Sequence, residues 1–287
     1  MNFHEFLDEA TVWLGSLMLG RRKFFYEGVE CPPFAELLED ISLVMPGIAG
    51  EGSYEVPTQG PVEGLDPAFR VARWVGEDRP TLIFHHGSAE RPYDATFNRL
   101  FPAKLEPDAN LICVRGPYHA SLADYKFGVR HLARFAGMLA TSVLLVEKLI
   151  SQLQGQRVLI SGISLGGWVT NLHKVHRDTA DVYCPLLAGA RCAELFFDSA
   201  YCRMASRRAR QNPEAVRRIL NFDRRFVAAD LSDVFPVLGR YDRIIVCDVQ
   251  GQDYLQENLR VLEKGHVTAA LCKSTLREHL LRHLLRE

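Results

Sequence analysis

One short run, Gly162-Ile163-Ser164-Leu165-Gly166-Gly167, constrains the fold of this chain more than any other, because of its neighbours on both sides. Upstream, Arg157-Val158-Leu159-Ile160-Ser161 reads as a buried strand. Downstream, residues 168–176 read as a helix without proline or glycine. A serine on so sharp a strand-to-helix turn is held in a strained backbone conformation, with its hydroxyl exposed at the end of a sheet. Strand and helix approach so closely there that positions two before and two after the serine have no room for side chains. Gly162 and Gly166 meet that demand. A pattern this short also recurs by chance, so the rest of the chain must supply the context.

That context is a series of strand-like runs separated by helical ones. Residues 47–66, rich in Gly and Pro, read as loops around an edge strand near Tyr54-Glu55-Val56. Residues 69–75 alternate apolar and polar, as a half-buried strand does. Thr81-Leu82-Ile83-Phe84 and Leu111-Ile112-Cys113-Val114 are continuous apolar runs, the mark of strands covered on both faces. Strand-like runs at 158–160, 182–187, 234–238 and 259–262 follow, the second and third of these four weakened by Pro185 and Pro236. Helical periodicity spans residues 132–153 and resumes from Thr268 with Leu271, Leu276, Leu280 and Leu284. The alternation predicts an α/β chain with a mostly parallel, doubly wound sheet, folded as one domain over 1–287.

Two segments stand outside it. Residues 1–40 form an N-terminal extension that begins with an amphipathic helix. Its apolar stripe (Phe3, Phe6, Leu7, Ala10, Trp13, Leu14, Leu17, Met18) is expected to dock on the body of the protein. The sharper readings make this helix a partner-binding element, or a peripheral membrane or lipid contact in which Trp13 and Leu17 act with Arg21-Arg22-Lys23. Residues 191–232 hold no strand but nine arginines, and read as a small helical cap whose second helix starts at Pro213. Those arginines either form a solvated face or turn inward to hold an anionic substrate. In the outward case, Phe196, Phe197, Leu220 and Phe222 would line the pocket.

Composition excludes several classes. A net charge of −1 across 287 residues gives no electrostatic footprint for nucleic acid. Seven cysteines without CxxC spacing fit reduced thiols of a cytoplasmic protein, and no basic leader or span of roughly 20 apolar residues is present.

Acyl transfer by a serine needs a base to take its proton, an acid to orient that base, and donors for the developing oxyanion. In open parallel sheets such groups gather at the carboxyl ends of the strands. His266 follows the last predicted strand and precedes the final helix, whereas His173 and His176 ride the helix after the serine. His279 and His283 belong to the C-terminal helix, and His131 to a helix start. His266 is therefore the candidate base. Val237-Leu238-Gly239-Arg240-Tyr241-Asp242 ends another strand on a carboxylate, making Asp242 the candidate acid. Asp230 and Asp233 fall at the wrong edge of the sheet, and Glu263 is too close in sequence to His266.

The order Ser164, Asp242, His266, with the serine on a Gly-Ile-Ser-Leu-Gly elbow, resembles the α/β-hydrolase superfamily over roughly residues 69–287. The resemblance implies an oxyanion hole built from two backbone N–H groups. One is that of Leu165, and the other comes from the Phe84-His85-His86-Gly87-Ser88 loop, most naturally Ser88, with Gly87 allowing close approach. It further implies two-step chemistry through an acyl-enzyme, with no cofactor. His85, His86 and His119 fall near the same edge but lack the spacing of a metal site such as HExxH. His86 is expected to buttress the oxyanion loop, and His85, Tyr118 and His119 to approach the substrate pocket.

The expectation is a serine hydrolase acting on a carboxylic ester or thioester of a small-molecule acyl substrate. An acyltransferase or an amidase/peptidase would use the same triad. A non-catalytic ligand-binding homologue is the alternative of a different class.

Overall fold

The computed structural model describes residues 1–153 and 155–285. Its centre is an eight-stranded sheet: β1 (Gly52–Glu55), β2 (Ala68–Arg73), β3 (Thr81–His85), β4 (Asn110–Arg115), β5 (Val158–Ile163), β6 (Val182–Leu186), β7 (Val237–Gly239) and β8 (Arg260–Leu262). Their spatial order is β1-β2-β4-β3-β5-β6-β7-β8, antiparallel at β1/β2 and β2/β4 and parallel from β4 onward.

The central strands alternate between two cores, as period-2 geometry requires. Ile83, Ile112 and Ile160 pack on one face of the sheet. Leu82, Phe84, Leu111, Cys113 and Leu159 pack on the other. Both faces are covered, which is why these strands read as unbroken apolar runs.

Five further helices matter for the site. α1 (Phe3–Leu19) opens the chain, α2 (Leu132–Gln152) and α3 (Leu165–His176) pack together on one side of the sheet, and α4 (His266–Ala270) and α5 (Lys273–Leu284) close the chain. Between β6 and β7 the chain runs through five short helices, the fourth beginning at Pro213. No described helix is long and apolar enough to cross a membrane.

Three local expectations are corrected. The run 234–238 is a strand only from Val237 onward: Val234 makes an isolated parallel bridge with Tyr183, whose carbonyl accepts the Phe235 N–H at 2.8 Å, and the ladder then lapses at Pro236. The reason lies in β6: Tyr183 and Leu187 donate their N–H groups toward the β7 side, so Pro185 between them faces that side with none to give. Beyond that bridge, Leu186 and Val237 are the one pair in register between these segments among the described residues. The C-terminal periodicity is split at Leu271 and Cys272 into α4 and α5, which leaves Leu271 exposed while Leu276, Leu280 and Leu284 are buried. Within the 47–66 region read as loops, Thr58–Gln59 forms a two-stranded antiparallel ribbon with Ser42–Leu43, which precedes that region.

The largest correction concerns α1. Its apolar stripe does not dock: Phe3, Phe6, Trp13, Leu14, Leu17 and Met18 are all more than half exposed. The opposite face, carrying Asp8, Val12 and Leu19, is the buried one. A buried carboxylate with three backbone donors, described below, outweighs the hydrophobic pattern in deciding which way the helix faces.

Candidate active site

β5 delivers the chain into the elbow, and the elbow is tight. A Cβ on Gly162 would overlap the backbone of Gly166, and a Cβ on Gly166 would overlap the carbonyl oxygen of His85 at the end of β3. Ser164 between them adopts φ 54°, ψ −108°, a conformation that costs of order 1–3 kcal/mol for a residue with a side chain. Its N–H is held by the Leu186 carbonyl at 2.8 Å, so the neighbouring strand fixes the strained residue.

Asp242 and His266 arrive from the ends of β7 and β8. His266 Nδ1 donates to Asp242 Oδ2 at 2.7 Å. The other carboxylate oxygen, Oδ1, accepts the N–H groups of Ile244 at 2.8 Å and Ile245 at 2.7 Å. The Asp242 side chain is fully buried, and that of His266 is 12% exposed. Burial disfavours the imidazolium, but the Asp242 charge and hydrogen bond outweigh it, with Asp8 adding to them, so the His266 pKa lies above its ordinary 6.5. Burial likewise raises the Asp242 carboxyl, against the pull of His266. Among the described residues no hydrogen bond joins Ser164 Oγ to His266, although both line one cavity. Such a bond is often long in an unliganded site and tightens around substrate.

That cavity is about 290 Å³ and mostly apolar. Ile163, Ser164 and Leu165 form its floor with Gly87 and Ser88. Tyr125, Phe135 and Trp168 form one side, and the cap contributes Leu195, Phe196, Tyr201 and Met204. The remaining wall is α1, through Thr11, Val12, Gly15, Met18 and Leu19, followed by Phe24. Phe24 ties extension to cap, with its N–H bonded to the Met204 carbonyl and its ring 5.1 Å from that of Phe196.

No cap arginine lines this cavity. Arg191 pairs with Asp253 and Asp223, Arg217 with Glu194 and Glu214, and Arg203 with Glu9. Of the four apolar residues expected in the outward case, only Phe196 reaches the pocket; Phe197, Leu220 and Phe222 do not.

The loop after β3 is braced from several directions. Gly87 N–H donates to Glu90 Oε2 at 3.0 Å, and the Ser88 hydroxyl bonds to the Tyr125 hydroxyl at 2.7 Å. His86 accepts the Gly116 N–H on Nε2 at 2.9 Å, so Nδ1 carries the proton and donates to the Gly87 carbonyl at 2.7 Å. His119 is arranged alike, accepting from Ala89 N–H on Nε2 and donating from Nδ1 to the Pro117 carbonyl. His85 donates to the His86 carbonyl from Nδ1, and its Nε2 lies 3.0 Å from the Ser142 hydroxyl. Burial holds His85 and His119 at about 4 and pushes His86 well below the usual range, so all three rings are neutral at physiological pH. Every ring nitrogen of the three is engaged within the protein.

His85, Tyr118 and His119, expected at the substrate pocket, are instead buried behind the loop, and none lines the cavity. Tyr118 is occupied elsewhere, its hydroxyl donating to the Glu63 carbonyl and its N–H to Asp66.

Three residues at the site escaped sequence reasoning. Asp8 on α1 is fully buried and accepts the N–H groups of Arg243 (3.0 Å), His266 (2.8 Å) and Val267 (2.9 Å). It therefore ties the loop after Asp242 to the first turn of the helix that His266 begins. Gly265 admits it, since a Cβ there would sit 2.7 Å from Asp8 Oδ2. Glu90 had a local signal, a carboxylate three residues after Gly87, whereas Tyr125 had none.

No protein-family model matches the chain, and no curated protein matches its sequence. Solved structures match its shape. The acetyl xylan esterase from Paenibacillus sp. R4 aligns with a TM-score of 0.55 at 10% identity, over 88% of this chain and 92% of that one. MGS-M2, an alpha/beta hydrolase enzyme from a Medee basin deep-sea metagenome library, aligns with a TM-score of 0.51 at 9% identity, over 79% and 96%. The acylaminoacyl peptidase of Pyrococcus horikoshii gives 0.54 at 14% identity over 82% of this chain, which spans only 40% of that protein. Identities this low speak to architecture rather than to reaction. The strand order, the parallel run from β4 to β8, the β5 elbow and these alignments agree, and the chain has the α/β-hydrolase fold.

Proposed function

We propose that the protein is a serine hydrolase that cleaves an ester or thioester of an apolar acyl group through an acyl-enzyme on Ser164. Ser164 Oγ attacks the acyl carbonyl and passes its proton to His266 Nε2. The charge that develops on the carbonyl oxygen is received by the N–H groups of Leu165 and Ser88, each such donor contributing about 3 kcal/mol to the transition state. Collapse breaks the bond to the leaving group, which takes the proton from His266. Water, deprotonated by the same imidazole, then releases the acid and restores Ser164. Asp242 keeps the proton on Nδ1 so that Nε2 is free to accept.

The observation that carries this reading is a single cavity shared by a strained serine, an Asp242-held histidine and the loop ending in Ser88. Proteins of similar fold include esterases and a peptidase, so the fold does not choose the bond. The apolar lining and the absence of any cap arginine from it favour an uncharged acyl chain. Each methylene buried there contributes about 0.8 kcal/mol. In a series of p-nitrophenyl esters, kcat/KM should therefore rise by at least about tenfold from acetate to hexanoate. A series that is flat or falls with chain length would contradict the apolar assignment, and a wild-type protein inert on every ester would contradict the reaction.

A further inference from the structure

α1 docks by the face that carries Asp8 and Val12, and turns its apolar stripe outward. At 100° per residue, positions 3, 6, 10, 13, 14 and 17 fall within an arc of about 100°, opposite the buried face. Phe3, Phe6, Trp13, Leu14 and Leu17 are between 54% and 67% exposed along it. We propose that this ridge is the docking surface for an anionic lipid bilayer, and that it holds the mouth of the Ser164 cavity at the membrane.

Charge distribution selects that occupant. Every carboxylate of the helix is turned away or occupied. Glu5 closes the capping box with Asn2, Asp8 is buried, and Glu9 pairs with Arg203 and Arg243. Past the carboxyl end of the helix stand Arg21 and Arg22, both exposed. An apolar row rich in aromatic residues, ended by cations and free of available acid, matches hydrocarbon beneath anionic headgroups. A second copy packed ridge to ridge would offer those arginines no free carboxylate from its own α1, since Glu5, Asp8 and Glu9 are all engaged.

The ridge is also continuous with the cavity. Thr11 and Met18 line the cavity and are exposed at the same time, so the opening lies along one flank of the stripe. That continuity rests on the hydrolase reading only for what the membrane would deliver, namely an acyl chain entering from the bilayer.

The test is flotation with vesicles of phosphatidylcholine, with and without phosphatidylglycerol. It compares wild type, a Phe6→Ser/Trp13→Ser/Leu17→Ser variant and an Arg21→Gln/Arg22→Gln variant. Wild type should float with the anionic vesicles. The apolar variant should lose at least about tenfold in partitioning, given roughly 0.8 kcal/mol per buried methylene. The arginine variant should lose its preference for anionic over neutral vesicles. None of the five residues lines the cavity, so both variants should hydrolyse a soluble short-chain ester like wild type, which also reports that they fold. Flotation needs no turnover, and Ser164→Ala protein should float unchanged, so failure of the hydrolase reading would leave this result intact. A wild-type protein that stays with the soluble fraction would overturn the proposal, as would an apolar variant that floats equally well. A wild-type dimer split by the apolar substitutions would assign the ridge to a second copy and overturn it too.

Discussion

Asp242→Asn is expected to lower kcat by about 10⁴-fold while leaving the fold and KM nearly unchanged. The direction follows from the hydrogen bonds around the carboxylate. Oδ1 accepts two backbone N–H groups, from Ile244 and Ile245, and Oδ2 accepts the proton of His266 Nδ1. An asparagine must put its carbonyl oxygen toward the two amides, so its NH₂ faces the imidazole. His266 Nδ1 then has to accept, its proton moves to Nε2, and the ring can no longer take the proton of Ser164. The substitution is isosteric and buried, and keeps both structural acceptor bonds, so thermal stability should barely move. A loss smaller than about tenfold would mean that Asp242 does not set the tautomer of His266.

Asp8 should have the second largest effect, although it touches neither Ser164 nor the Asp242 carboxylate. Asp8→Ala leaves three buried N–H groups without an acceptor, each a penalty of about 1–3 kcal/mol unless water enters. With partial rehydration the expected destabilisation is about 3 kcal/mol. Because Arg243 follows Asp242 directly and His266 N–H is one of the three donors, the dyad should also drift. A displacement near 1 Å costs about 10²-fold in kcat/KM.

Asp8→Asn separates the electrostatic part from the steric one. Asp242 and Asp8 both raise the His266 pKa, and a base works only when neutral, so activity climbs with rising pH through that pKa. Removing the Asp8 charge lowers the pKa and must move the acidic limb of the kcat/KM profile toward lower pH. A purely structural role would reduce the height of the profile and leave its limb in place. Assay of wild type and Asp8→Asn across the acidic range distinguishes the two.

The different legibility of these residues has physical causes. Ser164, Asp242 and His266 could be found because each sits at a strand end, where short-range sequence reports the strand, the turn and the glycines that permit it. The continuous apolar runs at 81–84 and 111–114 were readable because burial on both faces leaves no polar interruption. α1 was readable as a helix but not in its orientation. Hydrophobic periodicity reports which face is apolar, and here a single carboxylate bonded to three amides more than 230 residues away decides which face docks. Nothing local to Asp8 announces that partnership. The histidines near Ser88 illustrate a similar limit: their positions predicted proximity to the site, while their neutral tautomers and carbonyl partners put them behind the loop as braces. The cap arginines were visible as a basic segment, yet their direction depended on Glu194, Asp253 and Glu9, which come from three separate parts of the chain.

The central claim is that Ser164 is an activated nucleophile in an accessible acyl pocket. Covalent labelling by a fluorophosphonate probe, comparing wild type with Ser164→Ala, tests it most directly. Labelling of the folded wild type at Ser164, lost in the alanine variant, is the predicted result. A folded wild-type protein that stays unlabelled, or an alanine variant that labels equally, would contradict it.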